Sequence, residues 1–140
     1  GSWFRGMTER VQGWIDEKAP FDPNAQEERM DDDLAQAIYE RERCIECGCC
    51  VASCAVANTR PAFVAPAGLN RVARFMMDPR DQRKAGDWFE VYGSDEGVFG
   101  CLGLMACQDV CPKELPLREV YAYLRRKALT GVMSRKTKPA

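Results

Sequence analysis

The stretch Cys44-Ile45-Glu46-Cys47-Gly48-Cys49-Cys50-Val51-Ala52-Ser53-Cys54 decides how this chain folds. With Cys49 set aside it reads C-x2-C-x2-C-x3-C, the spacing of a bacterial iron–sulfur run. Thiolates at two-residue intervals wrap three corners of a cubane from one tight loop. Gly48 permits the turn and leaves backbone N–H groups facing the sulfides. The fourth cysteine, three residues on, points away along a helix and serves the other cluster when there are two. A second run, Cys101-Leu102-Gly103-Leu104-Met105-Ala106-Cys107-Gln108-Asp109-Val110-Cys111-Pro112, repeats that register, with Leu104 where the second cysteine would stand.

Crossing the fourth cysteines gives two expected sites. Cys44, Cys47, Cys50 and Cys111 hold a [4Fe–4S] cluster; Cys54, Cys101 and Cys107 hold a [3Fe–4S] cluster. Leu104 marks the missing ligand, because an aliphatic side chain does not bind iron. Three thiolates beside an apolar fourth wall suit a cluster lacking one corner. Cys49 is left over: it could replace Cys47 or Cys50, but only the 44/47/50 register keeps the spacing, so it is read as a small buried residue beside the cluster.

Other chemistries are weaker. Zinc could occupy paired C-x2-C elements, yet seven in-register thiolates exceed one tetrahedral site. An open catalytic iron at the Leu104 corner would need polar groups nearby. Only Leu, Gly, Met and Ala lie between Cys101 and Cys107, with Asp109 the nearest candidate. A disulfide scaffold is disfavoured by the crowding of Cys47, Cys49 and Cys50.

The 140 residues suit one compact domain with a real core. Charge is balanced, 20 basic against 21 acidic residues, so no nucleic-acid partner is expected. The ends differ: residues 1–46 carry mostly acids, and 116–140 mostly bases, including a basic tail at 135–138. Histidine is absent, which removes His-based acid–base chemistry and Rieske or haem ligation. No apolar run reaches the length of a membrane span, and no signal peptide appears, so the chain is expected to be soluble by itself. The Gly1-Ser2 start without methionine reads as the mark of a piece cut from a longer protein.

Periodicity predicts an all-α fold. Phe4, Met7, Val11 and Ile15 suggest a helix over 3–17, broken by Pro20 and Pro23. Acids at 31–33 open a second over about 31–43, with Leu34 and Ile38 inward. Pro66 starts a third over about 66–77, with Leu69, Val72, Ala73 and Met76 on one face, ended by Asp78-Pro79. Pro116 opens a last helix whose stripe is Leu117, Val120, Tyr121, Leu124 and Ala128, with Gly131 placed to terminate it. Residues 88–92 give only a weak, isolated strand signal.

The runs Cys44-Ile-Glu-Cys47-Gly-Cys49-Cys50 and Cys107-Gln-Asp-Val-Cys111-Pro-Lys113, with Pro66-Ala-Gly-Leu-Asn-Arg-Val-Ala-Arg-Phe-Met-Met-Asp-Pro-Arg-Asp81 between them, resemble the iron–sulfur subunit of succinate dehydrogenase and fumarate reductase. With the Ile-Glu-Cys-Gly-Cys-Cys run, the segments Gly97-Val-Phe-Gly-Cys101 and Leu124-Arg-Arg-Lys127 closely resemble the menaquinone-linked fumarate reductase branch. The resemblance implies an α-helical ferredoxin fold, a small helical bundle around the two clusters over residues 31–140. Residues 1–30 would be a helix and linker following an N-terminal domain with a [2Fe–2S] cluster. It also implies partners: a flavoprotein (FAD) subunit, and a membrane anchor with quinone near the [3Fe–4S] cluster. The role implied is single-electron relay within succinate:quinone oxidoreductase, with no independent catalysis by this piece. The implied location is peripheral, on the cytoplasmic face of a bacterial inner membrane, with the basic C-terminal segment towards the anchor or lipid head groups.

Two departures bear on the quinone. Ala55 follows Cys54 where many members have proline, and 55–65 lacks the tryptophans that flank ubiquinone, which favours a menaquinone-type partner. The alternatives are a two-cluster module of a heterodisulfide-reductase-like or glycolate-oxidase-like complex, or a non-redox structural metal module. Those complexes typically keep the second run complete, so Leu104 discriminates.

Overall fold

The computed structural model describes residues 1–27 and 29–136. Residues 137–140 lie outside the described residues, and with them the end of the basic tail at 135–138. In chain order the elements are α1 (Ser2–Arg10), α2 (Asp32–Glu42), α3 (Cys49–Ala52), α4 (Ala55–Thr59), α5 (Ala65–Met76), α6 (Ala85–Tyr92), a 3-10 turn at Val98–Gly100, α7 (Ala106–Asp109) and α8 (Leu117–Lys136). Among these residues there is no sheet, only one isolated bridge between Glu17 and Asp81. The all-α expectation holds.

Helix α5 is the hub. Pro66 sits in its first turn, and one face buries Leu69, Val72 and Ala73. It packs against α1, α2, α3, α6 and α8, while α6 lies along α8. Helix α8 buries Leu117, Val120, Leu124 and Ala128, as its apolar stripe predicts. Met7 and Val11, Trp88, Tyr92 and Val98 join the same core. In α2, Ile38 is buried and Leu34 half-buried; in α5, Met76 is only half-buried.

Three expectations change. Helix α1 stops at Arg10 rather than 17, because Gln12 takes a left-handed φ of 51° that interrupts the ladder. The next residues turn to a polar loop instead. Arg83 donates to the Gln12 (3.0 Å) and Trp14 carbonyls, and the Asp16 N–H donates to Asp81 at 3.1 Å. Gly131 does not end α8, which continues to Lys136. It is there for close approach: a Cβ would fall 2.8 Å from the Phe89 Cβ. Residues 88–92 are helical, capped where the Asp87 carboxylate accepts the Lys84 N–H at 2.9 Å.

The loop after α5 is held by two buried carboxylates. Asp78 accepts from Arg74 (2.9 Å) and from Arg80 Nη2 (2.7 Å). Burial alone would raise its carboxyl, but the hydrogen bonds from Arg80 and Arg74 hold it well below the usual range. Asp81 is likewise lowered, against burial, by Arg83, whose guanidinium also stacks 3.9 Å above Trp88.

Candidate metal centre

The two cysteine runs share one backbone design. Two residues after each leading cysteine the chain turns left-handed (Glu46, φ 54°; Gly103, φ 73°), and again two residues later (Gly48, φ 81°; Met105, φ 60°). Immediately afterwards comes a four-residue helix, α3 in the first run and α7 in the second. The left-handed turns curl the loop around its own side chains. Glu46 and Met105 carry a Cβ in a conformation that L-residues rarely adopt, a cost found mainly where a loop must hold a set shape. Beyond the short helices, Cys54 caps α4 and Cys111 follows α7. Helices α3 and α7 pack together, so the two loops face one another.

That packing brings together the cysteines that the sequence crosses. One cavity, of about 20 Å³, is lined by Cys44, Cys47, Cys50 and Cys111, with Phe4 and Leu115 among its apolar walls. The other, of about 50 Å³, is lined by Cys54, Cys101 and Cys107, with Phe63, Leu69 and Val120. Leu104 borders this second cavity but is 70 % exposed, so it forms a rim rather than a buried wall. Cys49 borders neither cavity and is exposed, which corrects its reading as buried; the first residue of α3 simply points outward. Asp109 is exposed and does not line the three-cysteine cavity.

All eight thiols are free, and among the described residues no three Cys, Asp or Glu side chains converge on a single ion. Soft thiolates around apolar walls suit an iron–sulfur core and not an oxygen-seeking cation. Hydrogen bonds to sulfur are already present. The Gly103 N–H donates to Cys101 Sγ at 3.4 Å and the Leu115 N–H to Cys111 Sγ at 3.5 Å.

Burial pushes the Cys50 thiol up to about 12, with Cys44, Cys107 and Cys111 adding to it. Burial likewise raises Cys101 and Cys107. Raised thiols of this kind hold their protons at neutral pH, so ligation to iron would release protons. The exposed Cys47 goes the other way, lowered by the Cys49 N–H and thiol.

Several supporting contacts were not foreseen. Tyr121 OH donates to the Cys101 carbonyl at 3.5 Å, Ser53 Oγ to the Cys50 carbonyl at 3.3 Å, and Gln108 Oε1 accepts the Arg118 N–H at 2.8 Å, tying the second run to α8. Gln108 and Ser53 sit beside ligand positions in sequence, which was the available signal.

Residues 40–115 match the family described as 4Fe-4S dicluster domain. The fumarate reductase iron-sulfur subunit of Wolinella succinogenes is 52 % identical over 130 residues, covering 93 % of this chain and 54 % of that protein. The succinate dehydrogenase iron-sulfur subunit of Bacillus subtilis is 28 % identical over 117 residues, covering 84 % of this chain and 46 % of its own length. The chain thus spans about half the length of these curated relatives. Among the described residues no helix is long and apolar enough to cross a membrane.

Proposed function

Since the chain belongs to the 4Fe-4S dicluster domain family, we propose that it is the two-cluster relay portion of a fumarate reductase or succinate dehydrogenase iron–sulfur subunit. Cys44, Cys47, Cys50 and Cys111 hold a [4Fe–4S] cluster, and Cys54, Cys101 and Cys107 a [3Fe–4S] cluster. What supports this most is the crossing: the last cysteine of each run lines the cavity of the other run's cysteines. When bound, the clusters supply one-electron couples. The chain's own work is to fix the thiolates, donate N–H hydrogen bonds to the Cys101 and Cys111 sulfurs, and line both cavities largely with apolar side chains.

On this reading residues 1–30 follow a domain bearing a [2Fe–2S] cluster, and 31–140 are the α-helical ferredoxin domain. Electrons pass singly between a flavoprotein (FAD) subunit and quinone at a membrane anchor. A menaquinone-type quinone is favoured by the lack of tryptophan in 55–65. The protein is then peripheral, at the cytoplasmic face of a bacterial inner membrane.

Anaerobic reconstitution followed by EPR tests the core of this reading. The expected result is an oxidised-state three-iron signal that disappears on mild reduction, and a four-iron signal that appears on stronger reduction. Two alike four-iron centres would overturn the assignment in favour of the complete-run alternative.

A further inference from the structure

Beside the four-cysteine cavity lies a third, polar cavity of about 60 Å³ between α1, α2 and α5. Arg41, Asn70 and Cys44 all border it. Arg41, in the last turn of α2, is only 5 % exposed. Its Nη1 donates to the Ala37 carbonyl at 2.7 Å, but its Nε has no hydrogen-bond partner. Asn70 on α5, 2 % exposed, donates from Nδ2 to the Arg41 carbonyl at 2.9 Å, while its Oδ1 is unpartnered.

The charge balance around Arg41 is unusual. Glu42, the one acid bordering this cavity, is already engaged with Arg74, and the cavity's Arg71 pairs with Glu46. Among the described residues Arg41 makes no ion pair. A buried cation without a counter-ion is costly, and the cost is tolerated where a negative group compensates it. Cys44 stands on the same cavity, three residues along the chain. Arg43 offers a contrast: its Nε is also unpartnered, but it does not border this cavity and is only half-buried.

We infer that Arg41 is a positioning residue that sets the reduction potential of the four-cysteine centre. Its buried positive charge has the ligated thiolates as counter-charge, and Asn70 pins its backbone. This rests on the cluster assignment proposed above. Reduction adds one electron and one negative charge to that centre, so a fixed nearby cation favours the reduced form and raises the potential. The three-cysteine centre lies on the other cavity and is affected less.

The test is an EPR-monitored potentiometric titration of the cluster-loaded protein. Arg41→Gln is expected to lower the midpoint of the four-iron signal while leaving the three-iron midpoint in place. Arg41→Lys, which keeps the charge, is expected to stay near the parent value. Asn70→Asp gives Arg41 a carboxylate neighbour and is expected to lower the same midpoint; it decides the matter if Arg41→Gln does not fold. An unmoved four-iron midpoint, an equal shift of both centres, or a Lys variant that behaves like Gln would overturn the inference. A parent protein lacking one of the two signals would instead sink the cluster assignment itself.

Discussion

The two cysteine runs have nearly the same backbone and different chemistry. Left-handed turns fall at matching positions, Glu46 and Gly48 against Gly103 and Met105, and each is followed by a four-residue helix. The differences are in the side chains. Cys47 stands where the second run has Leu104, and Cys49 where it has Ala106. On the proposed reading, backbone shape would set where a core is gripped, and the side chain at the Cys47/Leu104 position how many corners are held. The runs also depend on each other, because each supplies its last cysteine to the other's cavity.

The largest effect should come from breaking that exchange. Cys111→Ser is expected to abolish the four-iron signal although the altered residue belongs to the second run. Cys54→Ser is expected to abolish the three-iron signal although it belongs to the first. Iron analysis beside EPR would read each loss separately. If each substitution instead removed the signal of its own run, the crossed assignment would be wrong. Both variants should also lose stability, since a ligand held only in the folded chain contributes its binding energy to folding.

A smaller change should erase the contrast rather than the centre. Leu104 already borders the three-cysteine cavity from an exposed rim, at the position equivalent to Cys47. Leu104→Cys offers a fourth thiolate without burying anything new. The expected outcome is loss of the oxidised three-iron signal and gain of a second four-iron signal on reduction. Retention of an unaltered three-iron signal would show that Leu104 is not what limits the cluster.

Much of this was legible in the sequence, and unevenly so. Thiol spacing is a covalent matter, so the two cysteine sets could be written down before any fold was known. Helices α2, α5 and α8 were legible because their apolar stripes are long enough to report a period. The end of α1 was not, because the stripe through Ile15 is overruled by distant partners, the Arg83 guanidinium and the Asp81 carboxylate. Gly131 misled for a related reason: glycine serves equally as a helix stop and as a place for another ring to lie, and only Phe89 distinguishes them. In α6, aromatic residues hid a helical repeat that Trp88 and Tyr92, four apart and both buried, do carry. The exposure of Cys49 was hidden because spacing says which thiols fit a register, not which way the spare one points.

That spare thiol gives the smallest expected effect. Cys49→Ala makes the first run match the second at the position of Ala106. The side chain is exposed and borders neither cavity, so its removal leaves no hole and no unpaired buried group. Stability should be essentially unchanged, as for an ordinary surface position. Both cluster signals should persist in shape and amount. The one thing Cys49 does touch is its neighbour: its N–H and thiol lower Cys47, and the N–H survives the substitution while the thiol does not. Cluster loading at mildly acidic pH, where the ease of deprotonating Cys47 matters most, is therefore the condition in which a small deficit should show. Loss of the four-iron signal at neutral pH would mean that Cys49, not Cys47, is the ligand, and that the first run does not follow the register it shares with the second.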